Sequence, residues 1–379
     1  MSTVRMRVAV VLVAVLGTGG GLVAAGPAAA AAAPGSVLSD TILKATELPS
    51  DIARIATGKR IVYYTTDVNG TVISASGLVL TPKEGKNNKT VAWGHGTTGL
   101  ADKCAPSGNL AVFWPEAVAA VTGLLKRGWT VAAPDYAGLG VSARLDNTPL
   151  PHPYFIGLSE ARAVIDSVRA ARNLDRQLST QYVVDGHSEG GQAALFTSEL
   201  APSYDGDLVL RGVVAIAPVS NVDYLAPYIP GTPNQGYMVM ALTGLATVDP
   251  SIKVETLLAK PADDLLPVLE SGCLVEILDR YAPLTAQQLL TGGTLPQSVV
   301  DKLGRWDNPA QSPPSAPILL VQGTADAAVP YDVTAGMLLP ELQAYSSSVE
   351  LKVYDGADHE QAVFQSVSDV GKWIAARFS

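Results

Sequence analysis

Apolar, β-branched runs recur along this chain and are spaced by stretches with helical periodicity. Two β-rich runs, 61–67 and 71–81, flank Asp67-Val68-Asn69-Gly70-Thr71-Val72, a turn sequence that predicts a hairpin. Strand-like runs follow at 89–94, 130–134, 181–185, 210–217, 317–322 and 349–354. Helical patterns fall at 112–127, 157–174, 190–200, 332–344 and 361–377. Antiparallel strands followed by alternating strand and helix predict an α/β fold, with a mostly parallel sheet covered on both faces.

One region breaks the rhythm. Residues 220–312 carry short Pro-, Gly- and Leu-rich helical patterns and no convincing strand. They divide the chain into a first core part, 34–219, a helical cap insertion, 220–312, and a second core part, 313–379. The inserted region starts with Tyr224, Tyr228 and Tyr237 and continues through Met238, Met240, Leu242 and Leu245. A pocket wall and an ordinary core both predict that composition.

The first 33 residues read as a signal peptide. Arg5 and Arg7 precede the apolar run Val8 to Leu16, and Ala28 to Ala33 offers A-x-A cleavage sites. The run is too short to span a bilayer, which takes about 20 residues. The formal net charge of −9 becomes −11 once the two arginines of that segment are removed. Such a balance argues against nucleic acid or an anionic membrane as partner and suits a soluble secreted protein, for which a monomer is the expected form. Two cysteines in an exported chain, Cys104 and Cys273, read as one disulfide, the alternative being two buried thiols. No Cys/His cluster has metal-ligand spacing, so no metal is expected.

Candidate chemistry centres on Gly186-His187-Ser188-Glu189-Gly190-Gly191. It follows the run 181–185 and precedes a helical pattern, the strand–turn–helix context in which G-x-S-x-G presents a nucleophilic serine. Ser188 needs a base, and the base an orienting acid. Of the four histidines, His95, His152, His187 and His359, only His359 follows Ser188, as the order Ser, acid, His requires. Asp326, on the loop after the run 317–322, is the expected acid, with Asp355 and Asp358 as rivals. The oxyanion donors expected are the N–H of Glu189 and that of Thr97, or of Gly96, in His95-Gly96-Thr97-Thr98-Gly99. Gly138-Leu139-Gly140-Val141-Ser142-Ala143 fits a dinucleotide fingerprint, but Asn147, Pro149, Pro151 and Pro153 follow where a helix should open, so no cofactor is expected.

Taken together these residues resemble the secretory lipases related to Candida antarctica lipase A. The resemblance rests on Gly94 to Gly99 leading to Cys104-Ala105-Pro106-Ser107, on Pro134-Asp135-Tyr136-Ala137-Gly138-Leu139-Gly140, and on Ser159-Glu160-Ala161-Arg162 with Asp166, Arg169 and Ala170. The serine motif, Gly323-Thr324-Ala325-Asp326 and Asp358-His359 complete it. It implies an α/β-hydrolase fold and a carboxylic-ester hydrolase using Ser188, Asp326 and His359. It also implies a cap between the strands, a disulfide near Cys104 and transient contact with a lipid interface. Glu189 departs from members with a small residue there, and the expectation is a carboxylate near the mouth that disfavours very apolar substrates. Some members carry a C-terminal flap where this chain has one helix after His359.

Overall fold

The computed structural model describes residues 33–345 and 348–379. The expected signal peptide, apart from its last residue, lies outside them. Nine strands form one sheet among the described residues: β1 (Val37–Ile42), β2 (Ala56–Thr66), β3 (Val72–Pro82), β4 (Thr90–Gly94), β5 (Thr130–Ala137), β6 (Gln181–His187), β7 (Val209–Ile216), β8 (Ile318–Gly323) and β9 (Val349–Tyr354). Their spatial order is β1-β2-β3-β5-β4-β6-β7-β8-β9. Pairing is antiparallel from β1 to β5 and parallel from β5 through β4 to β9.

Alternation along each strand builds a core on each face. Val91, Val183, Val214 and Val321 point to one side, in a cluster with Ile52 of α1 (Ser50–Ile55), Leu124 of α2 (Pro115–Leu125) and Val363 of the C-terminal helix. Their neighbours Ala92, Val184, Val213 and Leu320 point to the other, against Val164 of α3 (Gly157–Leu174) and Leu195 of α4 (Glu189–Tyr204). Burying such a Val or Leu side chain stabilises the fold by about 1.5–3 kcal/mol.

Between β7 and β8 the chain is helical. The longest of its helices, α5 (Gln235–Val248), buries Met238, Met240, Leu242 and Leu245 in a third apolar cluster. That cluster reaches the loop Tyr154-Phe155-Ile156 beside the sheet. Gly244 makes the approach possible, since a Cβ there would lie 2.2 Å from the Tyr154 carbonyl oxygen. Two further helices, α6 (Leu274–Tyr281) and α7 (Gln297–Asp307), add Ile277 and Leu303. The last helix, α8 (His359–Arg377), follows β9.

Some expectations change. The hairpin gains a third strand, β1, on its outer edge. The helix expected over 332–344 is a broken one, with a π-helical turn at Thr334–Leu338. The stretch 138–143 opens no helix; Ala143 pairs instead with Pro149 in an isolated bridge.

Candidate active site

The chain turns from β6 into α4 at Ser188, which sits at φ 58 and ψ −116. A non-glycine residue with positive φ is uncommon and signals strain held by its surroundings. Here the surroundings are tight. The Ser188 N–H donates to the Ile216 carbonyl at 2.9 Å, and its own carbonyl accepts from Gln192 N–H at 3.0 Å. A Cβ on Gly186 would lie 2.1 Å from the Gly190 oxygen, and one on Gly190 would lie 2.0 Å from the Gly94 oxygen. Both glycines are required by this close approach of helix to strand.

His359 opens α8, and its Nδ1 donates to Asp326 Oδ2 at 2.7 Å. The Asp326 side chain is fully buried and that of His359 is 12% exposed. Asp326 also accepts from Gln322 Nε2 at 2.9 Å and from the N–H groups of Ala328 and Val329 at 2.9 and 2.8 Å. A carboxyl surrounded by donors acts as acceptor only, as an ionised carboxylate does. With Nδ1 committed, the neutral ring leaves Nε2 as the basic nitrogen. The rival acids are engaged elsewhere. Asp358 caps α8 by accepting from Gln361 N–H at 2.8 Å, and Asp355 accepts from Thr324 Oγ1 at 3.0 Å.

His187 turns inward, as its place beside the serine suggests. Its Nε2 lies 3.1 Å from the His359 carbonyl oxygen, and the two rings are 4.5 Å apart. Burial and then the neighbouring His359 hold its pKa well below the usual value, so the ring is neutral and Nε2–H donates to that carbonyl. His187 thus anchors the backbone that carries the His359 ring.

Glu189 supplies the first N–H of α4, a donor without an intrahelical acceptor. Gly96 and Thr97 face Ser188 from the loop after β4 and line the same pocket. Thr97 is fixed on both sides: its Oγ1 hydrogen-bonds the Tyr154 hydroxyl at 2.7 Å, and its carbonyl accepts from Trp114 Nε1 at 3.2 Å. The Pro134 to Gly140 segment supports this loop. Tyr136 donates to the His95 carbonyl at 3.0 Å, and Asp135 accepts from Ser76 Oγ at 2.7 Å and Ser107 N–H at 2.9 Å. Cys104 and Cys273 form a disulfide that ties the loop to the start of α6, beside the hydrogen bond from Leu274 N–H to the Thr98 carbonyl.

The Glu189 side chain overturns the expectation of a carboxylate at the mouth. It is 1% exposed and turned behind the serine, with Oε1 3.5 Å from His152 Nε2. His152 Nδ1 faces the Ala137 carbonyl at 2.8 Å, so Nδ1 carries the hydrogen. Neither atom has a hydrogen-bond partner among the described residues, and this 3.5 Å ion-pair contact is what each of them makes. Glu160 and Asp307 are buried close by. Burial, then the charge of Glu189, pushes the Glu160 carboxyl well above the usual range, and burial alone does so for Asp307. The approach of His152 to Glu189 gave no signal in the sequence because the two lie far apart along the chain.

A cavity of about 270 Å³ opens beside Ser188 and His359. Tyr237, Trp114, Leu274 and Leu278 give it apolar walls, and Glu116 and Glu360 supply its carboxyls. The ambiguous aromatic stretch therefore divides: Tyr237 faces the cavity, the methionines are core, and Tyr224 and Tyr228 are exposed.

The family model described as secretory lipase matches residues 115–379, a stretch that includes Ser188, Asp326 and His359. The chain is 26% identical over 372 residues to the secreted triacylglycerol lipase LIP7 of Malassezia globosa, covering 92% of this chain and 76% of that protein. It is 26% identical over 288 residues to LIP4 of the same organism, covering 71% and 60%. Candida antarctica lipase A in its closed state superposes with a TM-score of 0.76 at 19% identity, over 91% of this chain and 82% of the other. The rice cell wall degrading esterase LipA from Xanthomonas oryzae superposes with a TM-score of 0.70 at 20% identity, over 91% and 97%. The structural matches share this α/β fold, and the family match spans most of the chain; this protein belongs to the secretory lipase family of α/β-hydrolases.

Proposed function

We propose that this protein is a secreted carboxylic-ester hydrolase working through Ser188, His359 and Asp326. The observation that carries the reading is the buried His359–Asp326 hydrogen bond, 2.7 Å long, at a cavity that Ser188 also lines. His359 Nε2 takes the proton of Ser188 Oγ as the hydroxyl attacks the ester carbonyl. Asp326 fixes the ring and stabilises the imidazolium. The N–H groups of Glu189 and Thr97 hold the oxyanion, each such donor contributing about 3–4 kcal/mol. His359 then protonates the leaving alkoxide, and a water activated by the same ring hydrolyses the acyl-enzyme.

The cap in this reading is residues 220–312, whose α5 and α6 wall the cavity through Tyr237, Leu274 and Leu278. A cavity of about 270 Å³ lies just under the ~300–1,000 Å³ usual for small-molecule sites. Short acyl chains fit it, and long chains require the cap to shift. Relatives named as secreted lipases and the leader-like residues 1–33 support export. Among the described residues no helix is long and apolar enough to cross a membrane. The working form is a monomer.

The test is the rate on p-nitrophenyl esters from acetate to palmitate, with Ser188→Ala alongside. Wild type should turn over short esters best, and the variant should lose roughly 10⁵–10⁶-fold in kcat. Absence of ester turnover by wild type, with turnover of an anilide, would move the assignment to a peptidase. A dominant ester product when an alcohol competes with water would make it an acyltransferase.

A further inference from the structure

We infer that the pocket sorts its esters by charge, with Glu116 and Glu360 favouring neutral and cationic acyl groups over anionic ones. The inference rests on the ester-hydrolase reading and adds a substrate class to it. Glu116 stands in the first turn of α2 and is nearly buried, yet it lines the cavity with Ser188 and His359. Glu360 follows His359 on α8, a helix packed against α2, and lines the same cavity. Neither carboxyl belongs to an ion pair among the described residues, and no lysine or arginine lines the cavity.

The remaining polar groups do not offset them. Tyr237 is pushed up to about 12, mainly by burial and then by Glu360, so it stays neutral. His187 is neutral for the reasons given above. When His359 holds the serine's proton, Asp326 balances that charge. Glu116 itself is pushed up by burial, held down by its own backbone N–H, pushed up further by Glu360 and drawn the other way by His359, so both neighbours stand close enough to act on it. An acyl group bearing a carboxylate adds a like charge to a partly desolvated space. At the effective dielectric of such a site this lowers binding by about tenfold or more. The same field acts on the product. Hydrolysis of a neutral ester leaves a carboxylate, and the pocket that accepted the ester repels the acid.

The experiment compares three p-nitrophenyl esters of similar length: butyrate, hemisuccinate, and 4-(trimethylammonio)butyrate. Each is assayed with wild type, Glu116→Gln, Glu360→Gln and the double variant. The expected result is a wild-type kcat/KM for hemisuccinate at least about tenfold below that for butyrate. That ratio should rise at least fivefold in the double variant, and 0.5 M salt should narrow it in wild type. Inhibition by added butyrate should tighten in the double variant. A ratio that the substitutions and salt leave unmoved, with butyrate ester still hydrolysed, overturns the inference alone. No hydrolysis of any of the three by wild type overturns the ester-hydrolase reading beneath it. Should Glu116→Gln fail to fold, the exposed Glu360→Gln carries the test, with the ratio shifted by at least twofold as its expected result and an unmoved ratio overturning it.

Discussion

Glu116 and Glu360 open onto the cavity, whereas Asp185, Glu160, Glu189 and Asp307 are sealed behind the Ser188 turn with 1% exposure or less. The residue types are the same and the distance in the fold is small. The surroundings decide what each carboxyl does. At the cavity a carboxylate keeps contact with water and can act on a substrate through its charge. Behind the turn an isolated charge is costly, and burial pushes the carboxyls of Asp185, Glu160 and Asp307 up toward the neutral form. Glu160 and the nearby Gln192 join elements. Glu160 Oε1 accepts from Phe155 N–H at 2.9 Å, and Gln192 Nε2 donates to the carbonyls of Phe155 and Asp307. These contacts connect α3, α4 and the loop before α3 to the end of α7, where the helical region meets the sheet.

The widest separation between the two groups should appear in the pH dependence of stability. Burial pushes Asp185 up to about 8, and its Oδ1 has no hydrogen-bond partner. The folded protein therefore keeps a proton that the unfolded chain releases near pH 4. Stability must fall as pH rises from about 4 to about 8, at up to about 1.4 kcal/mol per pH unit for this group. Glu160 and Asp307 add slopes of the same sign. Asp185→Asn should remove its share, so the variant gains on wild type as pH rises and matches it below pH 4. Urea unfolding midpoints at pH 4, 6 and 8 check this, and a variant that tracks wild type at all three would break the contrast.

Next in size is the buried pair. Glu189→Ala or His152→Ala leaves its partner buried and unpaired, which costs about 3–5 kcal/mol. Glu189→Gln should recover most of that loss, because the amide N–H can donate to His152 Nε2. The unfolding free energies of the three variants separate a lost pair from lost volume. Equal losses for Ala and Gln would mean that packing, not the pair, explains why the side chain points inward.

Much of this arrangement was legible in the sequence, and the parts that were not have a common cause. The helix 157–174 has the expected bounds because its periodicity is local and its ends are marked. Ser188, Asp326 and His359 could be proposed because topology fixes their order along the chain. β1 escaped notice because its residues Leu38 to Ile42 are exposed, so they carry no alternation toward a core. The helix expected at 332–344 contains Pro340, whose effect on the preceding turn is a matter of local geometry that periodicity does not report. The side-chain direction of Glu189 depends on His152, 37 positions earlier, and nothing at Glu189 itself announces that partner. The carboxyls that do face the cavity were hidden for the opposite reason. Glu116 read as one position of an ordinary helix, although Glu360, directly after His359, was a signal that could have been used.

The smallest effects concern the cavity pair, and they sharpen the contrast because Glu116 belongs partly to each group. Glu360 is exposed, and Glu360→Gln should change unfolding free energy by no more than about 0.5 kcal/mol at any pH from 5 to 8. Glu116 is 7% exposed, and its carboxyl is raised by burial while its own backbone N–H holds it down. The folded protein thus binds this proton more tightly than the unfolded chain does. Glu116→Gln should then gain slightly on wild type as pH rises past the ordinary glutamate value, with the sign of Asp185→Asn and a smaller slope. Unfolding at pH 4 and pH 8 measures it. A slope as steep as that of Asp185→Asn would place Glu116 with the sealed acids, held neutral, and would leave Glu360 as the cavity's standing negative charge. A flat profile would mean that water reaches the Glu116 carboxyl freely and that both groups are charged when substrate enters.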